Sequence, residues 1–291
     1  MSHMRTILVM VGTIFFLGLM GCSGDPAGPV VLGGDEDTGI AEDNTSTEPD
    51  VADLDTAVAP TDEGSSAEPG SFILTIEHYF NEAPMELLVD YTTDTGLIVH
   101  FTTLRYWISN LVLTDVDGQS FVVPESYYLL EQTSNGVRDT VTITGVPSGD
   151  YTTVTFSIGV DEDHNHSLDT LEGELDAGVD MSWSWSSGFI FFKAEGNYLN
   201  DAGQTMDFFK AHLGFDDLYK TVSIPLDGSI RVDGTHVGSL VLSAQTSKLF
   251  DGLDMMVDNS IVGGPVDSPA GTMAENYSNW FTVLSSGSEK Q

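Results

Sequence analysis

Apolar and polar residues alternate along most of this chain, and that alternation predicts β-strands. In residues 72–80 every second side chain is apolar apart from His78, so His78 shares the face of a strand with apolar neighbours. Other runs of this kind occur at 97–113, 137–144, 151–160, 189–195, 205–215, 219–226 and 239–243. Turn signals such as Pro147-Ser148-Gly149-Asp150 separate them, and only 249–257 and 274–284 have helix-like patterns. The pattern predicts an all-β domain, an antiparallel β-sandwich.

The N-terminus has a different pattern, that of a secretory signal. Arg5 precedes an apolar run at 7–19, and Leu19-Met20-Gly21-Cys22 ends the segment in the manner of a lipobox. The run is too short to cross a membrane comfortably, although an uncleaved anchor helix is the alternative. We expect residues 1–22 to be a lipoprotein signal peptide, with lipid attached to Cys22, the only cysteine. Because Ser23 rather than aspartate follows, we expect a cell-envelope protein anchored to the outer membrane, facing the periplasm or the cell surface.

Composition divides the rest of the chain into a linker and a folded domain. Residues 23–71 contain 13 acidic residues and no lysine or arginine, which predicts a disordered acidic linker. Residues 72–291 contain 32 acidic and 8 basic residues, giving the β-sandwich domain a net charge of about −24. Such a charge argues against binding to nucleic acid and favours cations or a basic protein partner.

Oxygen-bearing side chains recur at every second position after the strand at 151–160. They are spaced as in a calcium-binding loop, with Leu168 at the apolar position. The candidate calcium ligands are Asp161, Asp163, Asn165, Ser167, Asp169 and Glu172. His166 occupies the position where such loops have glycine, and a strand rather than a helix precedes the loop. A solvated acidic loop is therefore the alternative interpretation.

Histidines and tryptophans on predicted strands are the other candidates for chemistry. His78 and His212 both lie on predicted strands, and imidazoles that project from neighbouring strands make a good copper or zinc site. Trp183 and Trp185 are two residues apart, so in a strand they face the same side. The alternatives for this pair are a core tryptophan with a lid tryptophan, or a platform that binds sugar.

Several short motifs follow one another over residues 72–215: IEHYF (76–80), YWISNL (106–111), VPSGDY (146–151), GELD (173–176), MSWSWSSGFIFFKAEG (181–196) and AHLG (211–214). These motifs, in this order, resemble the MbnP family of methanobactin-associated, copper-binding periplasmic proteins. Two features depart from the family pattern. Phe189 stands where the family often has tyrosine, and Lys210-Ala211 replaces a more aromatic residue before His212.

The resemblance implies a β-sandwich that binds one copper ion. It implies that His78 and His212 are copper ligands, with His100 as a third candidate. It also implies that a partner di-haem protein of the MauG and cytochrome c peroxidase type oxidises a tryptophan to kynurenine, on which copper binding depends. The candidates for that change are Trp183 and Trp185.

These observations predict a copper-binding lipoprotein that is not itself an enzyme and that stores, handles or delivers copper. The chain has no Gly-x-Ser-x-Gly, no zinc-protease helix motif and no basic cluster for phosphate, which argues against a hydrolase. The alternative function is a calcium-stabilised surface β-sandwich that binds a glycan or a protein through Trp183 and Trp185.

Overall fold

A computed structural model describes residues 68–166, 173–175, 180–184, 188–199 and 206–291. The predicted signal peptide, Cys22 and nearly all of the predicted linker lie outside these residues. The first strands are β1 (Gly70–Phe80), β2 (Ala83–Pro84), β3 (Tyr91–Thr92), β4 (Ile98–Asp115), β5 (Ser120–Val122), β6 (Tyr127–Thr133), β7 (Gly136–Arg138), β8 (Thr140–Val146) and β9 (Gly149–Ile158). After them come α1 (Glu162–Asn165), β10 (Ser182–Ser184), β11 (Gly188–Phe189), β12 (Phe192–Leu199), β13 (Met206–Leu213), β14 (Lys220–Val232), β15 (His236–Gln245), β16 (Ser260–Val262), α2 (Pro269–Ser278) and β17 (Phe281–Lys290).

These strands build two large sheets, which confirms the predicted β-sandwich. The smaller sheet has the order β17-β15-β1-β2, and β8 also pairs with β1. The larger sheet runs β14-β9-β4-β12-β13-β16, and β3, β5, β6 and β7 extend it beside the long strand β4. The sheets are mixed rather than purely antiparallel, because β1 pairs with β15, and β13 with β16, in parallel.

The main hydrophobic core lies between the two sheets. Phe72, Leu74 and Ile76 of β1 enter it from the smaller sheet, and each is at most 1% exposed. Tyr106 of β4 and Phe192 of β12 enter it from the larger sheet. Period-two alternation on both sides therefore gives one continuous apolar layer, as expected for a sandwich.

A second, smaller hydrophobic cluster covers the outer face of the larger sheet. Trp107 follows Tyr106 directly on β4, so the two side chains point to opposite faces of the sheet. Leu129 and Leu130 of β6 divide between the two clusters in the same way. The β10–β11 hairpin packs over the outer cluster with Trp183 at its edge. The hairpin therefore covers part of this outer face, whereas the outer face of a sandwich is ordinarily exposed to solvent.

In both stretches with helix-like patterns, the observed elements differ from the predicted helices. Residues 249–257 contain only the end of a 3-10 helix (Thr246–Phe250) followed by turns. Helix α2 begins after Ser268, whose side chain accepts the Ala270 N–H, and it ends at Ser278 before β17 starts. Neither α1 nor α2, the α-helices of the described residues, has the length and apolar character of a membrane-spanning segment.

Candidate metal site

His212 lies on the outer face of the larger sheet. Its neighbours on β13, Ala211 and Leu213, belong to the main core, so alternation turns the imidazole to the other side. The side chain of His212 is 19% exposed. Its ring centroid is 6.2 Å from that of Trp183, with the two planes inclined at 60°. The structure therefore brings together one predicted copper ligand and one predicted kynurenine position.

Glu195 of β12 is the hydrogen-bond partner of His212. Its Oε1 is 2.7 Å from Nε2 of the imidazole, and Lys193 Nζ is 3.6 Å from the same oxygen. Partial burial lowers the pKa of His212, the bond to Glu195 opposes that effect, and the charges of Lys193 and Lys210 add to the lowering. The balance favours a neutral imidazole, which is the form that binds metal.

Trp183 is held close to the backbone of the strand end that follows His212. Its Nε1 is buried and has no hydrogen-bond partner among the described residues. A Cβ at Gly214 would lie 2.9 Å from this Nε1 and still closer to the carbonyl oxygen of Phe189, so glycine is needed for the close approach. A buried donor without a partner is costly in a finished core. Among the described residues, the indole nitrogens of Trp107 and Trp280 are in the same state, so this feature alone does not set Trp183 apart.

His78 lies on the other side of the larger sheet, in the core between the two sheets. It is 7% exposed, and its Nε2 is 2.9 Å from the Tyr106 hydroxyl. Burial lowers the pKa of His78 to about 4, so it is neutral at physiological pH. Its ring is 6.2 Å from that of Trp280, whose Nε1 is also buried and has no hydrogen-bond partner in the described part of the chain. His78, on β1 of the smaller sheet, and His212, on β13 of the larger sheet, therefore each lie beside a tryptophan, but on opposite sides of the larger sheet.

His100 occupies a third environment, on β4. Its Nδ1 is 2.9 Å from Oδ1 of Asp90. His100 is opposite Asn197 on β12, whereas His212 is opposite Lys193. Four residues along a strand correspond to roughly 13 Å, so His100 and His212 are separated along the sheet. Within the ranges that the structure describes, no three His, Cys, Asp or Glu side chains form a ready-made metal site.

The predicted calcium loop is described only over its first half. Asp161 caps the single turn α1, and its carboxylate accepts hydrogen bonds from Tyr127 (2.5 Å) and Asn110 (3.0 Å). Asn165 is 1% exposed; its Oδ1 accepts the Phe189 N–H. Asp163 lies exposed on α1, while Ser167, Asp169 and Glu172 are outside the described residues, as is Trp185. Calcium binding stays a prediction.

Comparison with known proteins shows to which family this chain belongs. A profile of the MbnP family matches residues 69–267, more than half of the chain. This chain belongs to the MbnP family. Membership relates it to methanobactin-associated proteins. Among solved structures, MbnP from Methylosinus trichosporium is similar at 16% identity, with a TM-score of 0.48, over 71% of this chain and 87% of that one. A search of curated proteins found no match.

The MbnP-like motifs explain how the loop before the tryptophan hairpin is anchored. Asn110, in YWISNL, has a φ of 50° and donates through Nδ2 to Asp161 and, at 2.7 Å, to the Tyr219 hydroxyl. Burial raises the pKa of the Asp161 carboxyl, but the bonds from Tyr127, His164 and Asn110 outweigh it, so the pKa is lower than usual. The carboxylate is thus an ionised anchor that joins β4, β6 and α1.

Sequence reasoning missed Glu195 and Gly214 as parts of the site. Both lie inside motifs that were recognised, KAEG and AHLG, but only as markers of the MbnP family. A signal for Glu195 existed, because it occupies a polar position between the buried residues Ala194 and Gly196. Its pairing with His212 depends on the register between β12 and β13, which alternation alone does not supply.

Proposed function

We propose that this protein is a lipid-anchored copper-binding protein of the cell envelope, with its site on the outer face of the larger sheet. His212 supplies an imidazole ligand, and Trp183, converted to kynurenine, supplies the second group. The observation that carries the proposal is the position of His212 beside Trp183 in a domain of the MbnP family. The protein holds copper for storage, handling or delivery and is not an enzyme.

The chemistry of the two side chains fits copper. Imidazole is a good ligand for copper, and the lowered pKa of His212 keeps its lone pair available at neutral pH. An indole offers only an N–H donor, whereas kynurenine has an aromatic amine and a ketone oxygen that can coordinate or accept hydrogen bonds. Since Nε1 of Trp183 has no partner among the described residues, opening the indole breaks no hydrogen bond to any of them.

The conversion requires an outside oxidant, for which we propose a di-haem protein of the MauG and cytochrome c peroxidase type. The C2–C3 bond of the indole breaks as the oxygen atoms of two water molecules enter at these carbons, four protons are released and four electrons leave for the oxidant. Hydrolysis of the resulting N-formyl group then releases C2 as formate. The modified residue is about 4 Da heavier than tryptophan.

Mass and copper measurements on the full chain test this proposal. The chain is produced with and without the di-haem protein, and the mass change is mapped to a residue by peptide sequencing. We expect the increase of about 4 Da at Trp183, copper binding only after the change, and a loss of affinity of at least about 100-fold in His212→Ala.

Two variants serve as matched controls for that experiment. Trp183→Phe should bind no copper after exposure to the di-haem protein, and His78→Gln should bind as the original chain does. Copper binding that survives His212→Ala but is lost in His78→Gln would move the site to the core and overturn the proposal. A mass change at Trp280 or Trp185 instead of Trp183 would do the same.

A further inference from the structure

We infer that Glu195 is a positioning residue for His212: it accepts the Nε2 hydrogen and so leaves Nδ1 as the nitrogen that binds the metal. The inference rests on the proposed function, because it assigns the coordinating atom of the same site. Glu195 acts through the imidazole rather than on the metal itself.

The geometry of two neighbouring strands holds this pair together. Glu195 is on β12 and His212 on β13, and the register sets Lys193 opposite His212 and Lys210 opposite Glu195. The glutamate and the histidine are therefore diagonal neighbours on one face, close enough for the 2.7 Å contact. Both strands are fixed by the core residues that alternate with this pair, so the contact does not depend on a loop.

The chemistry of the contact decides which nitrogen carries the proton. A neutral imidazole has one N–H donor and one acceptor nitrogen, while an ionised carboxylate only accepts. A contact of 2.7 Å between Oε1 and Nε2 therefore assigns the hydrogen to Nε2 and the lone pair to Nδ1. Carboxylates that hold the second nitrogen of a metal-binding histidine fix its tautomer and orientation, and their removal costs about 10- to 100-fold in metal affinity.

A neighbouring charge holds this glutamate in place. Lys193 Nζ lies 3.6 Å from the same Glu195 oxygen and holds the carboxylate from the other side. Glu131 of β6 offers an internal comparison, because it is a glutamate of similar exposure, 32% against 35%, that pairs with Arg105 instead of a histidine. A variant at Glu131 removes the same charge without touching His212.

The experiment measures the tautomer without metal and the affinity with it. Full-length protein labelled with ¹⁵N-histidine is examined without copper by long-range ¹H–¹⁵N NMR at about pH 8, where free histidine is neutral. We expect His212 as the Nε2–H tautomer alone in the original chain and as a mixture of both tautomers in Glu195→Ala. Copper affinity of the kynurenine-containing protein should fall about 10- to 100-fold in Glu195→Ala. Glu195→Gln, whose amide oxygen still accepts the hydrogen, should restore most of both properties.

The controls separate this inference from the proposed function. Glu131→Ala and Glu131→Gln should change neither the His212 tautomer nor the affinity. An Nδ1–H tautomer in the original chain, or an unchanged tautomer and affinity in Glu195→Ala, would overturn the role of Glu195 even if His212→Ala abolishes binding. If copper affinity is unaffected by His212→Ala, the proposed function itself fails.

Discussion

The two histidine–tryptophan pairs of this domain have similar dimensions and different surroundings. His78 with Trp280, and His212 with Trp183, each have ring centroids 6.2 Å apart. Both indole nitrogens are buried, with no hydrogen-bond partner within the ranges that the structure describes. The first pair is sealed between two sheets, where the partner of the imidazole is the Tyr106 hydroxyl. The second lies on the outer face, where the partner is a carboxylate. Proximity to tryptophan therefore does not by itself distinguish a core histidine from a metal ligand.

The two pairs differ in their exposure to solvent and in the side chains that surround them. Trp280 is 0% exposed and contacts the rings of Tyr106, Phe192 and Phe281 as well as His78. The side chain of His212 is instead 19% exposed and pairs with Glu195. We therefore propose a stabilising role for the inner pair and a binding role for the outer pair.

Truncation of the two tryptophans should separate these roles most strongly. Trp280→Ala removes a fully buried indole from the main core and should lower the free energy of unfolding by about 4 kcal/mol. Trp183→Ala removes a partly buried side chain at the edge of the smaller cluster and should cost about 1–2 kcal/mol. Urea denaturation of the metal-free protein measures both.

Equal losses in the two variants would contradict the division of roles. Because Trp280→Ala risks a failure to fold, Trp280→Phe provides a milder version, which keeps an aromatic ring in the core. It should still destabilise the protein more than Trp183→Phe does.

Alternation along the strands indicates on which face of its strand each of the two histidines lies. His78 shares its parity with Phe72, Leu74 and Ile76, so its position in the core follows from alternation. His212 has the opposite parity to Ala211 and Leu213, which indicates the outer face. What could not be predicted is which strands become neighbours, because strand pairing depends on contacts between residues that are distant in the chain.

Long-range pairing explains the remaining differences between prediction and structure. β1 pairs in parallel with β15, although more than 150 residues separate the two strands. No local sequence pattern predicts that pairing. The pairing of Glu195 with His212 likewise requires the register of β12 and β13. The resemblance to the MbnP family placed His78, His212 and His100 in one copper site, and the fold separates them because a sheet lies between the first two.

Lowering the pH should reduce the stability of the protein more through His78 of the inner pair than through His212 of the outer pair. Burial holds the pKa of folded His78 at about 4 against 6.5 for an exposed imidazole, so the unfolded chain binds the proton more readily between these values. The stability that His78 contributes is therefore complete above pH 6.5 and is lost as the pH falls toward 4, by about 3 kcal/mol. Partial burial also lowers the pKa of His212, but Glu195 opposes that effect.

The measurement is the free energy of unfolding from urea titrations between about pH 7 and pH 4. His78→Gln, which cannot be protonated but can still pair with the Tyr106 hydroxyl, should flatten the dependence by about 3 kcal/mol. His212→Gln should leave most of the pH dependence of the unfolding free energy unchanged. If the two substitutions flatten the curve equally, the outer histidine is as deeply desolvated as the inner one, and the contrast between the pairs fails.

The smallest expected effect tests the close approach of Trp183 to the strand end after His212. In Gly214→Ala the new methyl group would meet the carbonyl oxygen of Phe189 and the indole nitrogen, so the β10–β11 hairpin must shift outward. We expect a loss of about 2 kcal/mol in unfolding free energy and weaker copper binding, because the kynurenine position moves away from His212. Gly287→Ala on β17, where a Cβ meets nothing within 4 Å, is the control and should change neither. Unchanged copper affinity in Gly214→Ala would show that the position of the hairpin does not matter for binding. It would then contradict the proposal that His212 and Trp183 form the copper site.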